Sequence, residues 1–156
     1  CKEAGITTGA FYHHFSSKEA LLESGFAPLD DYMAGALAGH EGEPPDLRLW
    51  RILSAYAKFM EQSGELIGRY YQRRIAEPGT RSMDATRYTL RAMLDCFRQA
   101  EGEGLLRPEH PPEWVADFCF RHFRGVVIDW ALHQYSYPLL PKMQEDYKLF
   151  ATLFHT

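Results

Sequence analysis

A short stretch near the start of the chain, residues 4–22, decides the interpretation of the fold, and it reads AGITTGAFYHHFSSKEALL. Gly5 favours the left-handed backbone conformation that ends one helix and turns the chain. Thr7 is a favourable N-cap for a second short helix, in which Phe11 and Phe15 lie four residues apart on one inward face. Two short helices joined by a turn that contains glycine form a helix-turn-helix motif.

The outer face of this second helix carries small and polar residues, which suit contact with DNA. Small side chains let a helix backbone approach the base edges in a major groove. Ser17 then predicts the N-cap of a further helix, where Lys18 and the free backbone amides favour a phosphate. The predicted DNA-contacting residues are Thr7, Thr8, Gly9, Ala10, Tyr12, His13, His14 and Lys18.

The same stretch resembles the signature of the TetR (tetracycline-repressor) family. In that signature an alanine-glycine-aliphatic turn precedes a helix that ends in Tyr-x-His-Phe, and a Ser-Lys-Glu-x-Leu helix start follows. The matching residues are Ala4, Gly5, Ile6, Tyr12, His14, Phe15, Ser17, Lys18, Glu19, Leu21 and Leu22. The resemblance implies an all-α, ligand-responsive repressor that binds a palindromic DNA operator as a homodimer, with half-sites roughly 34–36 Å apart or a multiple of that.

The resemblance also implies a division of the chain into two parts. Residues 1–26 would be a truncated helix-turn-helix DNA-binding domain whose first helix is missing, so we expect native residues before Cys1. Residues 27–156 would be a larger helical-bundle domain for effector binding and dimerisation. The helix from about residue 17 to 27 would connect the two and transmit the effector's signal.

Composition limits the other classes of protein. Apolar residues make up 46% and aromatic residues 14% of the chain, which argues against disorder. No apolar run approaches the roughly 18 residues of a membrane span, and no signal peptide is visible, so we expect a cytoplasmic protein without a membrane partner. The net charge of −4, with two lysines against three glutamates in residues 1–26, predicts weak DNA affinity for this segment alone.

Helical periodicity recurs between clusters of turn residues. Breakers fall at residues 24–26, 38–45, 77–80, 102–104, 108–112 and 137–138. The first long segment has an apolar face of Leu49, Ile52, Tyr56 and Phe59. We expect Ser82 or Asp84 to cap the next helix, which stops at Gly102. We expect Pro112 to open a third helix that runs to about Tyr135.

This third helix is apolar on more than one face, which predicts cover on both sides and hence a second subunit. The last helix repeats apolar residues at a spacing of three and four, which is typical of helices that pack at a shallow angle. An ordinary core within one chain is the alternative for both patterns. The predicted dimer contacts are Val126, Trp130, Leu140, Met143, Tyr147, Phe150 and Phe154.

Aromatic and methionine side chains of the larger domain could line an effector pocket, although such stripes also form plain core. The candidates are Tyr56, Phe59, Met60, Tyr70, Met93, Phe97, Phe118 and His122. We found no catalytic motif, and neither the histidines nor the three cysteines have the spacing of a metal site, so no enzyme, metal or cofactor is expected. A helical protein-interaction adaptor without a DNA role is the alternative function.

Overall fold

The computed structural model describes residues 27–77, 87–107 and 109–155. These residues form six α-helices: α1 (Ala27–Leu37), α2 (Pro45–Ser63), α3 (Glu65–Ala76), α4 (Tyr88–Gly102), α5 (Pro112–Leu132) and α6 (Leu139–Ala151). The predicted all-α fold class is confirmed for this part of the chain. The predicted N-terminal motif lies outside the described residues.

Proline and glycine set several helix ends as the sequence predicts. α2 and α5 begin with Pro45 and Pro112, where the absent N–H would have no helical partner. α4 ends at Gly102, and Gly104 follows with φ +71° while the Leu105 N–H bonds to the Ala100 carbonyl. The proline and glycine residues therefore located these boundaries correctly.

Two helix boundaries correct the sequence-based expectation. Gly64 divides the first long segment into α2 and α3, because its backbone takes φ +54° and ψ −130°. α4 begins at Tyr88 with Arg87 as the N-cap, not Ser82 or Asp84, which lie outside the described residues. The Arg87 side chain makes no capping hydrogen bond at the N-terminus of α4. Tertiary packing rather than capping therefore fixes where this helix begins.

α5 packs against α4, α3, α6 and α2. One apolar stripe of this helix, formed by Val115, Cys119, Phe123, Val126 and Trp130, is buried throughout. The helix ends at Leu132 instead of Tyr135, because Gln134 and Tyr135 both take φ of +57°. Burial raises the pKa of the Cys119 thiol, which is therefore protonated at neutral pH.

α6 packs mainly on α2 of the same chain. The Tyr147 hydroxyl donates to the Asp46 carbonyl at 2.6 Å, and the Tyr147 ring lies 5.2 Å from that of Trp50. Phe154 lies beyond the end of α6 and stacks on Phe97 with centroids 5.6 Å apart. Backbone bonds between residues 105–107 and 153–155 hold this tail beside the end of α4.

Candidate ligand-binding site

A mostly apolar groove of about 640 Å³ runs between α3 and the C-terminal half of α5. Its volume falls within the roughly 300–1,000 Å³ of typical small-molecule sites. Apolar side chains provide most of the wall, and a few polar groups lie among them. The lining residues are Glu65, Gly68, Arg69, Tyr71, Gln72, Ile75, Ala76, Ile128, Ala131, Leu132 and Tyr135.

Small residues open this groove, and one tyrosine closes its end. Gly68, Ala76 and Ala131 contribute little or no side chain at the helix interface. The Tyr135 hydroxyl lies directly over Gly68, where an added Cβ would be only 2.3 Å from the hydroxyl oxygen. Because Gly68 has no side chain, the tyrosine can rest against the backbone of α3 and form an end wall.

The turn after α5 fixes the position of Tyr135. Gln134 and Tyr135 are both left-handed, a conformation that costs a residue other than glycine roughly 1–2 kcal/mol. The Tyr135 N–H bonds to the Trp130 carbonyl at 2.9 Å, and its ring meets the Trp130 ring edge-on at 4.9 Å. These contacts offset the backbone strain and hold the phenol at the end of the groove.

Two buried phenols lie behind the wall of the groove. Tyr71 lines the groove, and its hydroxyl is 3.5 Å from that of Tyr56 in the core. Burial raises the pKa of both hydroxyls, that of Tyr71 well above its usual range, so both are protonated and able to donate. The positive charges of Arg87 and Arg124 oppose this rise in pKa but are smaller than the effect of burial.

The two arginines are held by different contacts. Arg87 pairs with Asp30 on α1 at 3.2 Å. Arg124 lies over the Phe120 ring, with its central carbon 5.4 Å from the ring centroid. Arg124 precedes Ile128 by one turn on α5, but only Ile128 of the two lines the groove.

A second, smaller cavity of about 160 Å³ lies between the end of α1, α2 and α4. Its walls carry several charges that already have partners: Arg48 donates to Gln99, and Arg51 pairs with Glu43 at 2.5 Å. Because the volume of this cavity is below that of typical small-molecule sites, the groove is the better candidate.

The residues predicted from the sequence to line an effector pocket divide into two groups. Phe118 and His122 lie on the exposed side of α5, and Phe118 is 46% exposed. The other six are fully or almost fully buried and do not line either cavity described above: Tyr56, Phe59, Met60, Tyr70, Met93 and Phe97. Their role toward a ligand remains a prediction. The groove residues were missed because Gly68, Ala131 and Ile128 have no distinctive spacing in the sequence.

Most of the predicted dimer contacts pack within their own chain. Val126, Trp130, Met143, Phe150 and Phe154 are buried, whereas Leu140 and Tyr147 are half-buried against the same core. This packing matches the alternative of an intrachain core, and their role between subunits remains a prediction. Apolar side chains that are exposed on α5 and α6 instead are Trp114, Phe118, Leu132 and Leu149.

Three further predictions concern DNA contacts, metal ions and membrane spans. The DNA-contacting set from Thr7 to Lys18 lies outside the described residues. Within the described ranges, no group of three or more His, Cys, Asp or Glu side chains is arranged to hold a metal ion. Among the same residues, no helix has the length and apolar character needed to cross a membrane.

Comparison with known proteins supplies evidence about the N-terminal segment, which lies outside the described residues. Residues 1–24 match the family model described as bacterial regulatory proteins, tetR family. The chain is 26% identical over 148 aligned residues to the HTH-type transcriptional repressor DhaR of Mycobacterium sp. (strain GP1), covering 87% of this chain and 72% of that protein. No solved structure matches the chain.

Proposed function

We propose that the chain is a transcriptional regulator of the TetR family, a homodimeric repressor whose binding to DNA responds to a small molecule. Residues 1–26 form the DNA-binding part, and residues 27–156 form the part that dimerises and binds the ligand. The match of residues 1–24 to the family model supports the first assignment. The groove between α3 and α5 supports the second.

The proposed DNA contacts are those of the sequence motif. Thr8, Gly9 and Ala10 face the bases of a major groove, while Tyr12 and Lys18 hold phosphates. Two copies related by two-fold symmetry then read the two halves of a palindromic operator. Phosphate contacts give affinity that falls with salt, so removing one should lower both the affinity and its salt dependence.

Titration of the natural protein against a fragment of its own promoter region tests this assignment. Lys18→Ala should weaken binding to all sequences and reduce the salt slope by about 1. Tyr12→Ala should also weaken binding. Lys58→Ala, on the exposed side of α2, is the matched control and should leave the affinity unchanged. Unchanged affinity for both motif variants would remove the DNA assignment and favour an adaptor function.

We propose that the exposed faces of α5 and α6 form the dimer interface. Phe118 and Leu149 are large apolar residues on these faces, with 46% and 72% of their surface exposed. Gly125 lies on the same side of α5, and an added Cβ there would meet nothing within 4 Å. An exposed apolar patch around a small residue allows two helices to approach closely and bury surface that water would otherwise contact.

Sedimentation tests the dimer. The protein should have about twice the chain mass of 18.0 kDa. Phe118→Glu and Leu149→Glu should shift the mass toward monomer, because a charge buried at an interface without a partner is costly. Ile75→Glu is the control. It places the same charge on the side of the groove, where Ile75 is as exposed as Leu149, and should leave the dimer intact. A monomeric natural protein would end the two-fold operator mechanism.

The ligand is proposed to act by changing how α1 is held, since α1 follows the DNA-binding part directly. Asp30 on α1 pairs with Arg87 at the start of α4, and Tyr32 packs on Phe59 of α2. A ligand that binds between α3 and α5 changes the packing of the helical bundle, and α1 is held by contacts to that bundle. Coupling of about 1–3 kcal/mol, a typical allosteric range, would weaken operator binding roughly 5- to 150-fold.

Breaking the link between α1 and α4 tests this route. Arg87→Gln should reduce the change in operator affinity that a bound ligand causes, while binding of the ligand itself persists. Arg98→Gln is the control. Arg98 lies elsewhere on α4, and its substitution breaks an exposed ion pair with Glu113. An Arg87 variant with full ligand response would show that the signal does not pass through this pair.

A further inference from the structure

The exposed side of α5 carries a residue pattern that is symmetric about Gly125. Phe118 and Leu132 are large apolar residues with 46% and 77% of their surface exposed, and each lies seven residues from this glycine. Seven residues of an α-helix make almost two full turns, so positions at this spacing deviate by only about 20° from one line. The three residues therefore form one exposed face, which we call the glycine stripe.

Gly125 leaves an open gap at the centre of the glycine stripe. A Cβ added to it would meet nothing within 4 Å, so the described part of the chain does not cover the backbone at this point. Two packed helices lie about 8–10 Å apart, depending on the side chains at the contact, and a glycine allows the shortest of these distances. On either side of the gap, Phe118 and Leu132 offer apolar surface from which a partner can exclude water. The stripe therefore suits a helix that crosses α5 at Gly125.

The symmetry of the stripe favours a second copy of the same chain as that partner. An interface with two-fold symmetry uses the same patch on both subunits, so the patch must be complementary to itself. When two copies of α5 lie antiparallel with Gly125 against Gly125, residues at equal distances before and after the glycine come to the same level. Phe118 of one copy then lies opposite Leu132 of the other, and the two-fold axis makes this contact occur twice.

The charged residues beside the stripe favour the antiparallel orientation. His122 and Asp129 both lie on the side of α5 that faces α6, because His122 pairs with Asp146 of α6 at 2.9 Å and Asp129 accepts a hydrogen bond from Tyr137, just before α6, at 3.0 Å. Along the helix they lie roughly 4.5 Å and 6 Å from Gly125, in opposite directions. Antiparallel packing therefore brings His122 of one copy beside Asp129 of the other, whereas parallel packing would leave the two residue types on different levels.

We propose that two copies of the chain pack α5 against α5 in antiparallel orientation and cross at Gly125, with Phe118 of each copy against Leu132 of the other. The inference rests on the proposed homodimer and specifies which residues meet at its two-fold axis. The spacing of seven residues suits a crossing angle of about 20°, at which the contact extends along both helices instead of remaining at one point.

Disulfide cross-linking of the full chain tests the crossing point. Gly125→Cys, combined with Cys1→Ala, should form a covalent dimer under mild oxidation, because the two new thiols meet at the two-fold axis. The natural Cys96 and Cys119 are buried and should not compete. Arg121→Cys is the matched control, since Arg121 is exposed one turn before Gly125 and antiparallel packing places its two copies roughly 12 Å apart along the helix, beyond the reach of a disulfide. Cross-linking of Arg121→Cys as fast as that of Gly125→Cys would overturn the proposed crossing point.

Charge substitutions test which residues face each other. Phe118→Lys and Leu132→Glu should each weaken dimerisation at least about tenfold, because each places a charge without a partner in the interface. The variant with both substitutions should recover most of this loss, since antiparallel packing pairs the new lysine of one copy with the new glutamate of the other. Within one helix the two positions are roughly 21 Å apart, so a recovery has to come from contacts between copies. A double variant that dimerises no better than either single variant would overturn the pairing.

Sedimentation of the natural protein separates this inference from the homodimer on which it rests. A natural dimer that Gly125→Cys does not link covalently would keep the proposed homodimer and overturn its crossing at Gly125. A monomeric natural protein would overturn both, and would mean that a second copy is not what covers the glycine stripe. A natural dimer that Gly125→Cys links and that the paired charges restore would support both.

Discussion

The two sides of α5 are built differently, although they belong to one helix. Toward α4 and α6, large side chains fill the space: Phe97 is fully buried and stacks on Phe154, and Phe123 lies 5.1 Å from Phe150. Toward α3, Gly68 and Ala131 leave space, and a groove remains. The difference teaches that residue volume at the contact, more than helix geometry, decides whether an interface is a closed core or an open site.

The closed side should lose the most stability when a side chain is removed. Phe97→Ala is expected to lower the free energy of unfolding by about 3–5 kcal/mol, because it deletes buried apolar surface and leaves a cavity. Urea denaturation measures this. Ile75→Ala on the open side should change it by no more than about 0.5 kcal/mol. A cost below about 1 kcal/mol for Phe97→Ala would contradict the description of this side as closely packed.

A single hydrogen bond should matter less than a packed ring. Tyr147→Phe removes the 2.6 Å bond to the Asp46 carbonyl and is expected to cost about 1 kcal/mol of unfolding free energy. Tyr137→Phe removes an exposed bond of 3.0 Å to Asp129 and should cost less. Equal losses in urea denaturation would show that the partial burial of the first bond does not make it more stabilising than the exposed one.

The same hydroxyl predicts a dependence on alkaline pH. Burial, followed by the charge of Asp46, raises the pKa of Tyr147 from 10.0 to about 12. Because the folded state keeps this proton better than the unfolded state, its stabilisation is present below pH 10 and is lost as the pH rises toward 12. Tyr147→Phe should lose less stability than the natural protein over that interval.

The end wall of the open side holds backbone strain that a substitution can relieve. Gln134→Gly is expected to raise the free energy of unfolding by roughly 0.5–1 kcal/mol, because glycine adopts φ +57° without the steric cost. Gly104→Ala, at φ +71°, is the converse control and should destabilise the protein. A loss of stability in Gln134→Gly would mean that the Gln134 side chain contributes more than the strain costs.

Gly68→Ala is expected to change the stability only slightly. The new Cβ would lie 2.3 Å from the Tyr135 hydroxyl, at the far end of a side chain that can rotate away. We therefore expect less than about 1 kcal/mol of change in the unfolding free energy, but altered Trp130 fluorescence, because Tyr135 packs on that ring. Gly35→Ala on α1, where nothing lies within 4 Å, should leave the fluorescence unchanged.

Sequence periodicity predicted the elements better than the site. The face of Leu49, Ile52, Tyr56 and Phe59 is buried as expected, since residues three and four apart share one side of a helix. The break at Gly64 was missed, although its residue type allowed it, because glycine also occurs inside helices. Most of the aromatic residues predicted for a pocket are buried in the core, where an apolar stripe has the same spacing, and their role toward a ligand stays a prediction.

The groove could not be predicted because its walls are far apart in the chain. Gly68 meets Tyr135 only after α3 has packed against α5 and the left-handed turn has placed the phenol. Nothing local to either residue indicates the other. The exposed apolar face of α5 is similar. The sequence shows that this helix is apolar on more than one face, but only the packed bundle leaves Phe118 and Leu132 uncovered.

The sequence by itself determined the all-α class, most helix limits and the resemblance of the N-terminal motif to the TetR family, because each depends on residues that are neighbours along the chain or within one helical turn. Tertiary structure alone decided which apolar faces are covered, where space remains between α3 and α5, and which charges act on Tyr71. Those properties depend on volumes and distances between segments that meet only when the chain is folded.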